Sequence, residues 1–225
     1  MRLLHRLRDP GSRFSIAHRM RSRRFEYFRA LVDPLPRPIR MLDVGGTEDF
    51  WERMGFLEAD EAEITILNLE APPARSPHVR TLDGNACHMP MFEDDSFDVV
   101  FSNSVIEHVG GIEEQRAMAN EIRRIGRRYF VQTPNRFFPI EPHFMFPFFQ
   151  FLPRGLQVWL LMHLDLTFGG RLESVEAAEA TAASVELLSE RAFMDLFPGA
   201  DLYREKVLGL TKSFIAHAGW NEPTA

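Results

Sequence analysis

Short apolar runs alternate along the chain with longer stretches whose apolar residues recur at helical spacing. Phe25, Phe28, Leu31 and Val32 fall on one helical face and predict an amphipathic helix near the start. DPLPRP at 33–38 ends it, because proline lacks an amide donor and restricts the residue before it. IRMLDV (39–44) then reads as a buried strand running into Gly45-Gly46, and residues 48–58 as a helix. AEITILNLE (62–70), HVRTLDG (78–84) and SFDVVFSNS (96–104) read as three further strands. Residues 112–126 set Ile112, Met118, Ala119, Ile122 and Ile125 largely on one face, with acids opening the helix and arginines closing it. Gly126 stops it, and RRYFVQTPN (127–135) gives a fifth strand.

The rhythm then breaks. Residues 134–153 contain five prolines and seven phenylalanines, an elaborate connection after the fifth strand. An Ala- and Glu-rich helix is predicted around 173–188, and Ser189 can cap a short helix that Pro198-Gly199 stops. DLYREKVLG (201–209) and KSFIAHAG (212–219) close as an antiparallel hairpin. Strands alternating with helices predict an α/β fold: a doubly wound, mostly parallel, Rossmann-like seven-stranded sheet with a C-terminal antiparallel hairpin. Ligands of such sheets bind at the carboxyl ends of the strands.

Length and charge narrow the picture. The 225 residues, 45% hydrophobic, suffice for one domain over 1–225, with residues 1–32 as an Arg-rich helical extension and 134–170 as an inserted acceptor or lid region. A single cysteine, Cys87, rules out an internal disulfide, and it has no neighbour that activates it beyond His88. The net charge of -6 argues against a nucleic-acid partner. The absence of a long apolar run makes cytoplasmic the default localisation.

The most informative stretch is MLDVGGTEDFW (41–51). Two glycines after a strand suit a nucleotide loop, but Glu48 and Asp49 beside them would repel a pyrophosphate. A cationic ligand without phosphate fits better, and S-adenosylmethionine (SAM) carries an ammonium and a sulfonium. The plainer alternative is a tight strand-to-helix turn with solvated acids.

Taken in order, LDVGG, DGNACHMPMFEDDSFDVVFSNSVIEHV (83–109) and RRYFVQTPNRFFPIEPH (127–143) resemble the class I SAM-dependent methyltransferases, in particular their type-11 branch. The resemblance covers about residues 25–135. It implies SAM as the cofactor and methyl transfer as the activity. By position it places Asp43, Gly45 and Gly46 at the methionine end, Asn68 or Glu70 at the ribose, Asn85 and Ala86 at the adenine, and Asn103 and Ser104 near the sulfonium. Asn68 and Asn85 stand where the family usually has acids. That departure gives footing to a rival, a SAM-binding or scaffold protein without turnover. A nicotinamide-dependent oxidoreductase is opposed by the missing G-x-G-x-x-G.

Candidate acid–base groups are His108, Glu141 and His143. Some related O-methyltransferases hold a metal on Glu-x-x-Glu-His, but here Ser104 replaces the first Glu. Glu107 and His108 alone are too few, so no metal is expected. His108 can instead order the loop after strand four. Glu141 and His143 can pair to set the imidazole's basicity, or simply cap and solvate a loop. His163, among leucines, reads as a core or boundary histidine. Phe137, Phe138, Phe144 and Phe146 are expected to shape an apolar acceptor pocket, unless they fill the core. The expected acceptor is a small molecule or a lipid-linked one, with an O- or C-nucleophile favoured, and the Phe-rich segment suits peripheral contact with a membrane. The sequence does not disclose oligomeric state.

Overall fold

The computed structural model describes residues 16–57, 61–140, 143, 144, 146–167 and 169–220. Helix α1 (Ile16–Val32) leads into strand β1 (Ile39–Val44), helix α2 (Glu48–Arg53), β2 (Ala62–Asn68), β3 (Val79–Asp83) and β4 (Val99–Asn103). A 3-10 turn (Ile106–His108), α3 (Ile112–Ile125) and β5 (Tyr129–Pro134) follow. The chain then forms a second 3-10 turn (Phe149–Phe151), α4 (Arg154–His163), α5 (Val175–Ala183), α6 (Glu190–Leu196), β6 (Asp201–Val207) and β7 (Leu210–Ala218).

The seven strands form one sheet in the order β3-β2-β1-β4-β5-β7-β6. The first five are parallel, and β7 pairs antiparallel with both β5 and β6. The order reverses between β1 and β4, so their carboxyl ends diverge and open a crevice there. Leu208 and Gly209, at φ 50° and 84°, make the tight turn of the closing hairpin.

Period-two alternation splits the core between the two faces of the sheet. On one face Met41, Ile64, Phe101 and Phe130 pack with Phe25, Phe28 and Val32 of α1 and with Trp51 of α2. On the other, Leu42, Val44, Val100 and Val131 pack under Met118, Ile122 and Ile125 of α3 and Phe193 of α6. Ile112 departs from its expected place: it is the first residue of α3 and is exposed rather than packed with the rest of that face. Two helices end earlier than their pattern suggests. α2 stops before Gly55, which takes φ 66°, and α5 stops at Ala183, after which Leu187 and Leu188 are buried in extended chain. Ser189 caps α6 as expected, its hydroxyl accepting from the Ala192 amide at 3.2 Å.

Residues 135–188 leave β5 and return at α6 with a small core of their own. Phe144 and Phe149 stack at 4.2 Å and pack with Val158, Leu161 and Leu166, and with Ala178 and Ala182 of α5. Helix α4 fills part of a stretch to which the apolar pattern alone assigned no element. The insertion is tied to the sheet at its base, where Asn135 bridges Leu188, and at the 3-10 turn, where the Glu186 amide donates to the Glu107 carbonyl at 2.8 Å. No described helix is long and apolar enough to cross a membrane.

Candidate active site

The glycine loop is shaped by two close approaches. Gly45 has φ 77°, and a β-carbon there would stand 2.5 Å from Val105 Cγ2. Gly46 lies over Asp43, whose Oδ2 would be 1.6 Å from a β-carbon. Any larger residue at either position must displace its neighbour. Asp43 itself faces the α2 side of the sheet, and Trp51 Nε1 donates to its Oδ2 at 2.6 Å. Burial pushes its pKa up to about 7, partly opposed by that hydrogen bond. Its Oδ1 is buried without a partner among the described residues. Glu48 and Asp49 turn away from the crevice: Glu48 accepts from the Arg75 and Ser76 amides, and Asp49 pairs with the Arg75 guanidinium.

On the open side of this loop lies a cavity of about 520 Å³ at the carboxyl ends of β1, β2, β3 and β4. Gly45, Asn68, Glu70, Asn85, Ala86 and Ser104 line it, as does His108 at one margin. Strand pairing sets these positions, since the Gly45 and Gly84 amides donate to the Leu67 and Asn68 carbonyls, both at 2.8 Å. The Asn68 amide donates to the Gly46 carbonyl at 2.9 Å, and Asn85 Oδ1 accepts from the Cys87 amide at the same distance. Ser104 takes φ 57°, an uncommon conformation for a non-glycine residue, and its hydroxyl donates to Gln132 Oε1 at 2.8 Å. Leu67, Leu69, Val105 and Val109 also line the cavity, and sequence reasoning assigned them nothing. Leu69 is 77% exposed at a strand end, which is the only signal it offers.

Three expected cofactor residues do not line this cavity: Asp43, Gly46 and Asn103. Asp43 sits behind the loop, against Trp51. Gly46 borders a smaller cavity of about 270 Å³ on the loop's other side, with Thr47, Pro72 and Arg75. Asn103 is turned by strand alternation toward α1, where Arg24 donates to its Oδ1. Arg24 also donates to Gln132 Oε1 at 2.9 Å and forms a buried ion pair with Glu205 at 2.5 Å.

At the cavity margin the 3-10 turn meets the insertion. His108 Nε2 lies 3.0 Å from His143 Nε2, and His108 Nδ1 lies 3.1 Å from the Ser184 carbonyl. Thr133 Oγ1 donates to the fully buried Glu107 at 3.0 Å. One ligand-capable atom from each of Glu107, His108 and His143 lies within 4.8 Å of the others. His143 lies 35 residues beyond His108 in sequence, and only the fold brings the two together. Glu141 lies outside the described residues.

No cavity lined by described residues brings the four phenylalanines together. Phe144 and the half-buried Phe146 belong to the insertion's core, while Phe137 is 63% exposed and stacks on Phe151 at 6.1 Å. For Phe144 the core-filling alternative holds. His163 is exposed rather than buried, stacked on Trp159 at 4.5 Å. Cys87 gives its thiol to the Glu114 carbonyl at 3.3 Å, and partial burial raises its pKa.

Residues 51–128 match the methyltransferase domain family. Over that stretch the chain is similar to a methyltransferase domain, the family its sequence motifs resemble. The match begins after the glycine loop, so the cavity wall formed by Gly45 is supplied by the fold. No curated protein matches the chain. Among solved structures, the PH0226 protein from Pyrococcus horikoshii OT3 is 16% identical with a TM-score of 0.52, covering 91% of each chain. The 1,6-didemethyltoxoflavin-N1-methyltransferase of Burkholderia thailandensis, bound to its substrate and S-adenosylhomocysteine, is 12% identical with a TM-score of 0.51, covering 88% of this chain and 76% of that one. The CurJ carbon methyltransferase, at 12% identity and a TM-score of 0.56, aligns with 89% of this chain, which spans 54% of its length. At these identities the likeness is one of fold.

The donor set fits the cofactor. The cavity offers one carboxylate, two amides, a hydroxyl and an imidazole, and neither Lys nor Arg lines it. That suits a cationic, phosphate-free ligand and disfavours a dinucleotide.

Proposed function

We propose that the chain transfers the methyl group of SAM to an oxygen or carbon nucleophile of a small-molecule or lipid-linked acceptor. The observation that carries this reading is the cavity shared by Gly45, Asn68, Glu70, Asn85, Ala86 and Ser104. Bound SAM supplies an activated methyl on sulfur. The chain's own residues hold and orient it. Glu70 is exposed at the cavity edge and is the better partner for the ribose hydroxyls, because the Asn68 amide already holds the glycine loop. Asn85 and the Ala86 amide take the adenine edge, and Ser104 with Val105 borders the methyl donor.

The acceptor enters from the insertion side, over His108 and His143. Phe137, Phe148, Phe151, Leu156 and Trp159 are exposed on the insertion, which favours an apolar or lipid-linked acceptor and contact with a bilayer surface. The acidic net charge supports a partner other than nucleic acid, and we assign the protein to the cytoplasm. Residues 1–225 act in this reading as one domain, with the insertion selecting the acceptor.

Calorimetric titration with SAM, S-adenosylhomocysteine and NAD tests the reading. Binding of the first two and not the third is expected. NAD binding in their place would overturn it. Labelled-SAM profiling of metabolites and lipids then separates an enzyme from a SAM-binding scaffold, since a scaffold labels nothing.

A further inference from the structure

We infer that Glu107, His108 and His143 bind a first-row divalent cation at the margin of the SAM cavity, and that this ion takes the acceptor's oxygen. The inference rests on the methyltransferase reading for its chemistry but not for its geometry. A backbone carbonyl can only accept, so the contact with Ser184 places the proton of a neutral His108 on Nδ1. Its Nε2 lone pair then points at His143 Nε2, 3.0 Å away. Two imidazole nitrogens on adjacent positions of an ion held at about 2.1 Å stand about 3 Å apart in octahedral geometry and about 3.4 Å apart in tetrahedral geometry. Anchoring the distal ring nitrogen on a carbonyl is how ligating histidines are usually oriented, and Thr133 orients Glu107 in the same way.

Charge favours the same conclusion. Glu107 is fully buried, and a buried carboxylate beside two imidazoles is a donor set that suits a cation. Two imidazoles and one carboxylate select a transition metal such as Mn²⁺ or Zn²⁺ over Mg²⁺ or Ca²⁺, and they leave positions open for substrate. The cation stands where His108 lines the SAM cavity, so an oxygen bound to it faces the methyl donor.

The step balances as follows. An acceptor hydroxyl bound to the cation loses its proton to water, because the cation lowers its pKa. The oxygen lone pair forms the new bond to the methyl carbon. The carbon–sulfur bond breaks with its electrons kept on sulfur, giving a methyl ether and S-adenosylhomocysteine. The acceptor is therefore a phenol, enol or other hydroxyl compound, best one with a second oxygen able to chelate.

The test is calorimetric titration of the untagged, chelator-treated full chain with Mn²⁺ alone and with Zn²⁺ alone. Uptake of one equivalent is expected, and Glu107→Gln and His143→Gln should each weaken it at least about tenfold. SAM binding by the two variants shows that they are folded. No stoichiometric uptake by the wild-type chain, or equal affinity in both variants, overturns the inference and leaves a plain His–His hydrogen bond. Metal uptake without SAM binding would keep this site and remove the proposed function. SAM binding without uptake would do the reverse.

Discussion

Trp51 donates its indole N–H to Asp43 at 2.6 Å directly beneath the second glycine of the loop, while the other oxygen of that carboxylate has no described partner. The acid sits in a nearly dry space, and burial raises its pKa from 3.8 to about 7. Between those two values the folded chain holds a proton that the unfolded chain releases. Stability contributed by Asp43 is therefore full below about pH 4 and falls until about pH 7. Asp43→Asn cannot titrate. Its stability relative to wild type should rise between pH 4 and pH 8, by at most about 4 kcal/mol for three pKa units. Urea midpoints at the two pH values measure this, and an equal difference at both would show that Asp43 titrates normally.

Gly45 combines a left-handed backbone with the touch of Val105. Gly45→Ala should cost about 1–3 kcal/mol from the two causes together. Truncating the neighbour relieves only the second, so Gly45→Ala/Val105→Ala should unfold at higher denaturant than additivity allows. Gly45→Val should in addition lose SAM binding, since its side chain occupies the cavity wall. Unchanged SAM affinity in that variant would remove Gly45 from the cofactor site.

Asn85→Ala removes the acceptor for the Cys87 amide and, in the proposed site, a partner of the adenine. One hydrogen bond is worth about 1 kcal/mol, so SAM should bind several-fold more weakly with little change in melting temperature. A wild-type dissociation constant would place the adenine elsewhere.

Arg24 ties α1 to the far hairpin through Glu205, and both side chains are buried. Arg24→Met strands that carboxylate and should cost about 3–5 kcal/mol. Adding Glu205→Gln should recover part of the loss, because the stranded charge is gone. Thermal unfolding of the two variants decides it.

Much of the sheet was legible because its signals are local. Apolar runs such as IRMLDV and YFVQTP, each closed by a glycine, proline or acid, mark β1 and β5 within a residue or two. The Ser189 cap was equally plain, whereas the hairpin turns at Leu208-Gly209, inside the run read as its first strand. Position along a strand does not disclose which face is spoken for. Asn103 and Ser104 are neighbours in sequence, yet alternation gives one to Arg24 and the other to the cavity. The pairing of His108 with His143 was invisible for a different reason, since it depends on how a 54-residue excursion from β5 returns to the sheet. Helix α4 was hidden by the prolines and phenylalanines before it, which obscure the start of its apolar face.

The insertion's separate core has an evolutionary consequence. Among the described residues Phe144, Phe149 and Leu161 belong to an apolar cluster separate from those under the sheet, so substitutions among them reshape chiefly their own compartment. What the insertion must preserve lies at its base: the bonds of Ser184 and Glu186 to the 3-10 turn and α3, the Asn135–Leu188 bridge and a histidine facing His108. A lineage that kept those anchors would be free to diversify what lies between them. Acceptor preference would then drift quickly while the cofactor chamber stayed still, and relatives with matching strands and dissimilar insertions are what such a history leaves behind.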